Sequence, residues 1–375
     1  MEKIKLGDLC KPSGRQIKED KDTLIDYIDI SAVDNETKKV TGYHTITFGE
    51  SPSRARKAVK RGNILVSTVR PNLNAVALLE EDTPNVSVAS TGFCVLESKD
   101  DVDPRFIFNF CKSKPFIDDM VSQATGASYP AVSDKIVRSA LIPKYSYQEQ
   151  QHISNVLDKL VGIIDSRRIE LQKLDNLIKA RFVEMFDNKY PTVILGDVIK
   201  TTSGGTPSKA HPEYYNGGNI PWLSSGEVNA GVITSVKNCI TEEGMRHSSA
   251  KMVPKDSVVV AMYGATAGVT GILRIDTTTN QAVCSLLPTE RFIPEFLYHA
   301  VASKKEWMIS QCQGGGQPNI SQGIIKSMEL IDAPIDDQKC FTQFVKQVDK
   351  SKVAVQKALD ETQTLFDCLM QEYFG

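Results

Sequence analysis

None of the short motifs by which common catalysts declare themselves occurs in the 375-residue sequence. There is no G-x-x-x-x-G-K-[ST] phosphate loop. The nearest run, "GATAGVTG" at Gly264 to Gly271, lacks the lysine and following hydroxyl that would hold phosphates. No G-x-S-x-G elbow, H-E-x-x-H, H-x-E with P-C-x-x-C, or G-x-G-x-x-G is present. Catalysis by this chain alone is therefore not expected. The eight cysteines form no C-x-x-C pair and the five histidines do not cluster, which argues against a zinc site or a disulfide framework and for reduced, mostly buried thiols. An excess of either charge is also missing, with 44 Lys and Arg against 46 Asp and Glu and a net charge of -2. Any nucleic-acid site must then be local or completed by a partner. No stretch approaches the ~18 uninterrupted apolar residues of a membrane span, and Met1 to Lys5 open no apolar signal core. The expectation is a cytoplasmic protein with no membrane partner.

What the sequence does contain is a repeat of half its length. Leu6-Gly7-Asp8 recurs as Leu195-Gly196-Asp197, "FCVL" at Phe93 to Leu96 as "VCSL" at Val283 to Leu286, "DPRFIF" at Asp103 to Phe108 as "IPEFLY" at Ile293 to Tyr298, and "GASYPAVS" at Gly126 to Ser133 as "GGGQPNIS" at Gly314 to Ser321. The pairs keep one order and lie 188 to 190 positions apart. Each copy opens with short β-rich runs broken by Gly, Pro, Asn and Thr, such as "YIDISAV", "NILVSTV" and "SVVVAMYGATAGVTGIL". A short helix follows, opened by Pro104 or Pro294, since proline suits the first helical turn. Ser133 and Ser321 read as helix N-caps.

Each copy then ends on a long amphipathic helix. Leu157, Ile164, Leu171 and Ile178 fall every seven residues with Leu160 and Leu174 interleaved; Val345, Leu359 and Phe366 share one register of the second helix and Val348, Val355 and Leu369 the other. These are coiled-coil seams, interrupted at Arg167, Arg181, Lys352 and Thr362. Two independent amphipathic helices, each covering its own domain, is the plainer alternative. Antiparallel packing of the two is the more economical, and gives a pseudo-twofold α+β molecule. Its parts are a first globular domain (1–146), a first long helix (147–188), a second domain (189–334) and a second long helix (335–375).

The loops between strands are rich in hydrogen-bonding side chains, which suit phosphate oxygens and base edges. In copy one, "RARKAVKR" supplies Arg54, Arg56, Lys57, Lys60 and Arg61, and the apolar run Ile64 to Val66 leads into Thr68, Arg70 and Asn72. Copy two offers Thr206, Ser208 and Lys209 in "TTSGGTPSK", Trp222, Ser224 and Ser225 in "IPWLSSGEV", Tyr263 and Thr266 after "VVVA", and Gln317 and Asn319 in "QPNIS". Each loop singly also reads as an ordinary β-turn, and the basic run as a solvated face.

Taken in order, "RGNILVSTVRPNLNAVAL", "GGTPS", "IPW", "GATAG" and "QPNIS", with the helix entries "IPKYSYQEQQHISNVLDKL" and "DAPIDDQKCFTQFVKQVD", resemble the DNA-specificity subunit of a type I restriction-modification enzyme. The resemblance covers the whole chain. It implies two target-recognition domains, each reading half of a split double-stranded DNA site, with antiparallel helices fixing the gap. It also implies that two modification subunits, binding S-adenosylmethionine, methylate adenine N6, and that a restriction or motor subunit, where present, uses ATP and Mg. This chain would then hold no cofactor or metal. Rival readings are a fused methyltransferase or nuclease, and a non-DNA scaffold joined by a coiled coil.

Overall fold

The computed structural model describes residues 2–12, 16–312 and 319–375. It divides into two compact units: one takes in the chain as far as Arg168 together with Gln356–Gly375, the other Ile169–Val355. Each unit therefore holds one β-rich body and one half of each long helix.

The two bodies share one plan, although the second has two more strands in one of its sheets. The first has a four-stranded sheet in the order His44–Thr47, Leu24–Ile28, Val86–Ser90, Ala55–Ala58, and the second one in the order Asn238–Ile240, Ile220–Leu223, Thr277–Thr279, Met252–Val253. In both the two central strands run parallel and the outer pairs antiparallel. Beside it lies a sheet built on a fully buried central strand, Ile64–Ser67 or Val258–Ala261. Burial on both faces explains why these strands read as unbroken apolar runs without alternation. The repeated Leu-Gly-Asp is a latch: the Leu6 and Leu195 side chains are fully buried, and their amides donate at 2.8 Å to the Ala140 and Met328 carbonyls. Cys94 and Cys284, which occupy matching places in the two cores, both have thiols that burial pushes up to about 12. All eight cysteines are free; two of them, Cys340 and Cys368, are exposed.

Short helices start where the prolines and capping serines place them. Pro104–Lys112 and Pro294–Ala302 have proline in the first turn, and the Ser133 and Ser321 hydroxyls accept from the amides of Ile136 and Ile324. The long helices, Tyr147–Phe186 and Ile335–Phe374, have 40 residues each and are about 60 Å long. In the first unit Ile153 and Leu157, near the start of one, share a core with Met370 and Phe374 at the end of the other. In the second unit Ile178, Phe182 and Phe186 share a core with Phe341, Val345 and Val348. The two helices are thus antiparallel within each unit. None of the twelve seam residues is exposed, whereas Ile163, Leu177, Val353 and Leu365, which lie off the seam, are.

Of the interruptions in the seam, Lys352 forms an ion pair at 2.7 Å with Asp175 of the facing helix. Arg181 lies over the Phe344 ring and bonds Glu184, and the Thr362 hydroxyl bonds back to the Ala358 carbonyl. The Lys352 pair is a register pin, because a one-turn slip would separate the half-buried ammonium from Asp175 and leave it only the longer 3.8 Å contact with Asp349 of its own helix.

One buried amide ties each long helix to its body. Gln338 accepts from the Ile293 amide (2.8 Å) and donates to the carbonyls of Arg291 (3.0 Å) and Ala333 (2.9 Å). Gln150 accepts from Asp103 (3.1 Å) and donates to Tyr145 (2.9 Å) in the same way. Rings complete the joint, with Phe296 at 4.9 Å from Phe186 in one unit and Phe106 at 5.3 Å from Phe374 in the other.

Replacing Gln338 by Ala leaves the Ile293 amide and two carbonyls without partners, at a cost of about 2 to 3 kcal/mol. Thermal unfolding should show a fall of roughly 5 °C or more; an unchanged melting temperature would contradict the joint. A second expectation concerns His299, whose ring stands edge-on to Phe341. Burial, and then the Lys352 ammonium, hold it at about 4 against the usual 6.5. The unfolded chain therefore takes up this proton first. The stabilisation from a neutral ring is complete above pH 6.5 and is lost, by up to about 3 kcal/mol, as pH falls toward 4. Denaturant titration of the parent and His299→Gln across that window should show their stability difference shrinking with falling pH. A constant difference would contradict it.

Candidate nucleic-acid interface

The buried strand Ile64–Ser67 ends in a loop whose geometry is dictated from both sides. The Thr68 amide and hydroxyl both donate to the Gly92 carbonyl at 2.8 Å, the Val132 amide donates to Thr68 (2.9 Å), and the Arg70 amide donates to Pro130 (2.7 Å). Two residues of this loop have left-handed backbone, Arg70 at φ 49° and Asn74 at φ 47°. The strand Val258–Ala261 leads into a loop of the same design. Ile320 donates to the Met262 carbonyl as Val132 does to Thr68, and Tyr263 bridges Asn319 as Val69 bridges Ala131. Its left-handed positions are Gly264 (φ 74°) and Gly268 (φ 75°), which correspond to Arg70 and Asn74. The two loops thus share their strand exit and left-handed positions, and differ in side chains and in one turn bond, the Asn74 amide reaching Pro71 where the Gly268 amide reaches Ala261.

In copy one, Arg70 and Asn72 are exposed at the tip beside Leu73, and the Arg70 guanidinium lies 4.9 Å from the centroid of the Tyr129 ring. Thr68 is buried, with its hydroxyl committed to Gly92, so it shapes the loop. The basic run is divided. Arg54 sits at the loop end of the sheet, since its carbonyl accepts from Thr91 next to Gly92, and its guanidinium reaches Asp29 at 3.4 Å. Arg56 bonds the Ala55 carbonyl and lies over Phe48. Lys57 is turned inward, bonding the Phe93 carbonyl and Asp134, both at 2.6 Å. Lys60, paired with Glu97, and exposed Arg61 lie at the beginning of the Ile64–Ser67 strand, the opposite end from Arg70. The structure does not bring them to the Arg70 loop.

In copy two the candidates converge on one end of the sheets. Ser203 pairs with Cys284, which pairs with Val260, so the chain after Ser203 and after Ala261 leaves from the same edge. Thr206 there bonds Gln281, and Ser208 and Lys209 are exposed. The preceding Gly204 runs so closely against the Thr279 carbonyl that a Cβ would clash with its oxygen, which gives this glycine a packing role. Leu223 accepts from the Asn280 amide, which brings Ser224 and Ser225 to the same edge. The Trp222 indole is spent on the Gly205 carbonyl (3.0 Å), and Ser224 forms a capping box with Glu227. Ser225 is half-buried; Tyr263 and Asn319 are exposed, and Thr266 is half-buried. Gln317 lies outside the described residues.

Two features went unanticipated. One is Tyr129, 68% exposed beneath Arg70. The other is a stack of rings on the second body, Tyr214 lying between His211 (4.8 Å) and His247 (5.7 Å), with both histidines exposed. Arg70 and Tyr129 are 59 positions apart, and His247 is 33 from Tyr214, so no local spacing signals either grouping as a whole. Among the described residues no group of three His, Cys, Asp or Glu side chains gathers as a metal site.

Comparison with known proteins bears on both copies. The family model of the type I restriction modification DNA specificity domain matches residues 1–176 and again 188–362. The EcoR124I/EcoR124II type I restriction enzyme specificity subunit of Escherichia coli is 24% identical over 215 residues, 55% of this chain and 53% of that protein. That match thus spans about half the relative's length. The HindI specificity subunit of Haemophilus influenzae is 21% identical over 363 residues, 75% of this chain and 78% of that protein. Among solved structures, one from work on complex assembly and conformational transition of the type I R-M system covers 100% of this chain and 97% of its own, with TM-score 0.68 and 22% identity. The type-I system S subunit from M. genitalium covers 100% and 96%, with TM-score 0.56 and 15% identity. At these identities the likeness is one of fold, that of two repeated β-rich bodies with two long helices. With both copies matched, the chain belongs to the type I restriction modification DNA specificity domain family.

Proposed function

We propose that this chain is the DNA-reading, non-catalytic subunit of a type I restriction-modification complex in the cytoplasm. Each β-rich body, 1–146 and 189–334, reads one half of a two-part site in double-stranded DNA. The antiparallel long helices, 147–188 and 335–375, keep the gap between the halves constant. Two modification subunits bind S-adenosylmethionine and methylate adenine N6 on a base flipped from the stack, while this chain holds the register. A restriction subunit, if one joins, supplies ATP- and Mg-dependent movement and cutting. The chain itself needs no cofactor. Among the described residues no helix is long and apolar enough to cross a membrane.

The observation that carries this reading is the paired loops. The left-handed positions match, as do the bonds that Val132 and Ile320 donate to the strand ends, but Arg70-Pro71-Asn72-Leu73-Asn74 stands where the other copy has Gly264-Ala265-Thr266-Ala267-Gly268. A scaffold with one binding partner has no use for two such tips that differ. Two readers of unlike sequences do, and the site they read is asymmetric. Side chains at these tips suit base edges, while neighbouring cations and hydroxyls suit phosphates. The near-neutral net charge fits phosphate binding shared with partners.

Geometry supplies the test. Seven residues added at matching points of both long helices lengthen them by ~10.5 Å, which at ~3.4 Å per base pair is about three base pairs. The complex should then methylate a site whose gap is about three base pairs longer, with both half-sites as before. Methylation at the original spacing would overturn the ruler.

A further inference from the structure

Arg70 has a backbone conformation that a residue with a Cβ rarely adopts, at φ 49° and ψ 61°. Its corresponding position, Gly264, is a glycine, and a Cβ built there would meet no atom within 4 Å. The position thus projects into open space, and a glycine would meet the conformational demand without strain. The loop itself does not ask for an arginine. Its Arg70 contacts are backbone ones, to the Pro130 carbonyl and from the Leu73 amide (2.9 Å), and glycine would keep both. Strain of this kind persists where the side chain has a task.

The side chain is also pre-positioned. Its guanidinium lies over Tyr129, a ring left largely to solvent. Among the described residues no hydrogen bond or ion pair occupies its N–H donors, which leaves them available to a ligand while the guanidinium carbon rests over the ring. A planar, forked donor held against a ring fits two coplanar acceptors side by side. In the major groove, guanine O6 and N7 present that pair.

We infer that Arg70, steadied by Tyr129, is the residue of the first body that reads a guanine in its half-site. The inference rests on the DNA-reading function proposed above. It assigns no such reader to the second body at this position, where Gly264 leaves that role to other side chains. Tyr129 is a positioning residue, acting through the guanidinium.

The test uses the full complex with its methyltransferase partner. The motif is first mapped with the unaltered protein. Binding is then measured on the mapped duplex and on duplexes carrying A·T in place of each G·C pair of the first half-site, for the parent, Arg70→Gly and Tyr129→Ala. For the parent, one such replacement should weaken binding about 5- to 150-fold. In Arg70→Gly that ratio should fall to near one, with discrimination at every other position and throughout the second half-site kept. Tyr129→Ala should lower the same ratio partially. The melting temperature of Arg70→Gly should be unchanged or raised, which separates lost reading from lost folding. Three results would overturn the inference. They are a first half-site without any G·C pair, unaltered ratios in Arg70→Gly, or uniform weakening on all duplexes with a salt slope reduced by about one, the mark of a phosphate contact. Absence of any two-part motif for the unaltered protein would instead remove the underlying function.

Discussion

A side-chain amide buried at the root of each long helix holds this architecture together. Gln150 and Gln338 each accept from a backbone amide at the start of a short helix and donate to a carbonyl just before the long one, Tyr145 or Ala333, with Gln338 donating also to Arg291. Each short helix in turn belongs to the core under its central buried strand. The direction of a long helix is thereby coupled to the sheet that carries the Arg70 loop in one body and the Gly264 loop in the other. Hydrogen bonds inside a packed core are directional in a way that apolar contacts alone are not. On the proposed ruler a loose joint would measure nothing, which would make the phenylalanines around the glutamines as much part of reading as the loops.

On that scaffold the two loops vary independently. The backbone bonds that shape them run to neighbouring backbone, from Val132 and Ile320 for instance, so side chains at the tip can change while the loop persists. Left-handed residues are the sensitive points. Glycine meets them freely in one copy, and Arg70 and Asn74 meet them under strain in the other. Asn74 has a structural reason, because its side chain bonds the Cys111 carbonyl in the interior. Among the described residues Arg70 has none beyond the Tyr129 ring.

Most of the scaffold was legible in the sequence, because its signals are local or periodic. The Leu-Gly-Asp repeat, the heptads of the long helices, the capping serines and the apolar strands all announce themselves within a few residues. Individual contacts were not legible, since they depend on partners distant along the chain. Lys57 looks like a solvated cation until Asp134, 77 positions away, is seen beside it. Thr68 looks available until Gly92 takes its hydroxyl, and Lys352 looks like a flaw in the seam until Asp175 faces it. Lys60 and Arg61 adjoin Arg56 in sequence, yet a strand carries Arg70 to the opposite end of the sheet. One signal was present and unused: aligning the copies sets Arg70 and Asn74 on Gly264 and Gly268, which marks both as left-handed positions.

The account stands or falls on whether this chain selects DNA sequence for a methylating partner. The direct measurement is a genome-wide map of N6-methyladenine in cells expressing the chain with its modification partner, beside cells lacking only this chain. One asymmetric two-part motif with a constant gap, present in the first map and missing from the second, is the result expected. Identical maps from cells whose partner is demonstrably active would contradict it.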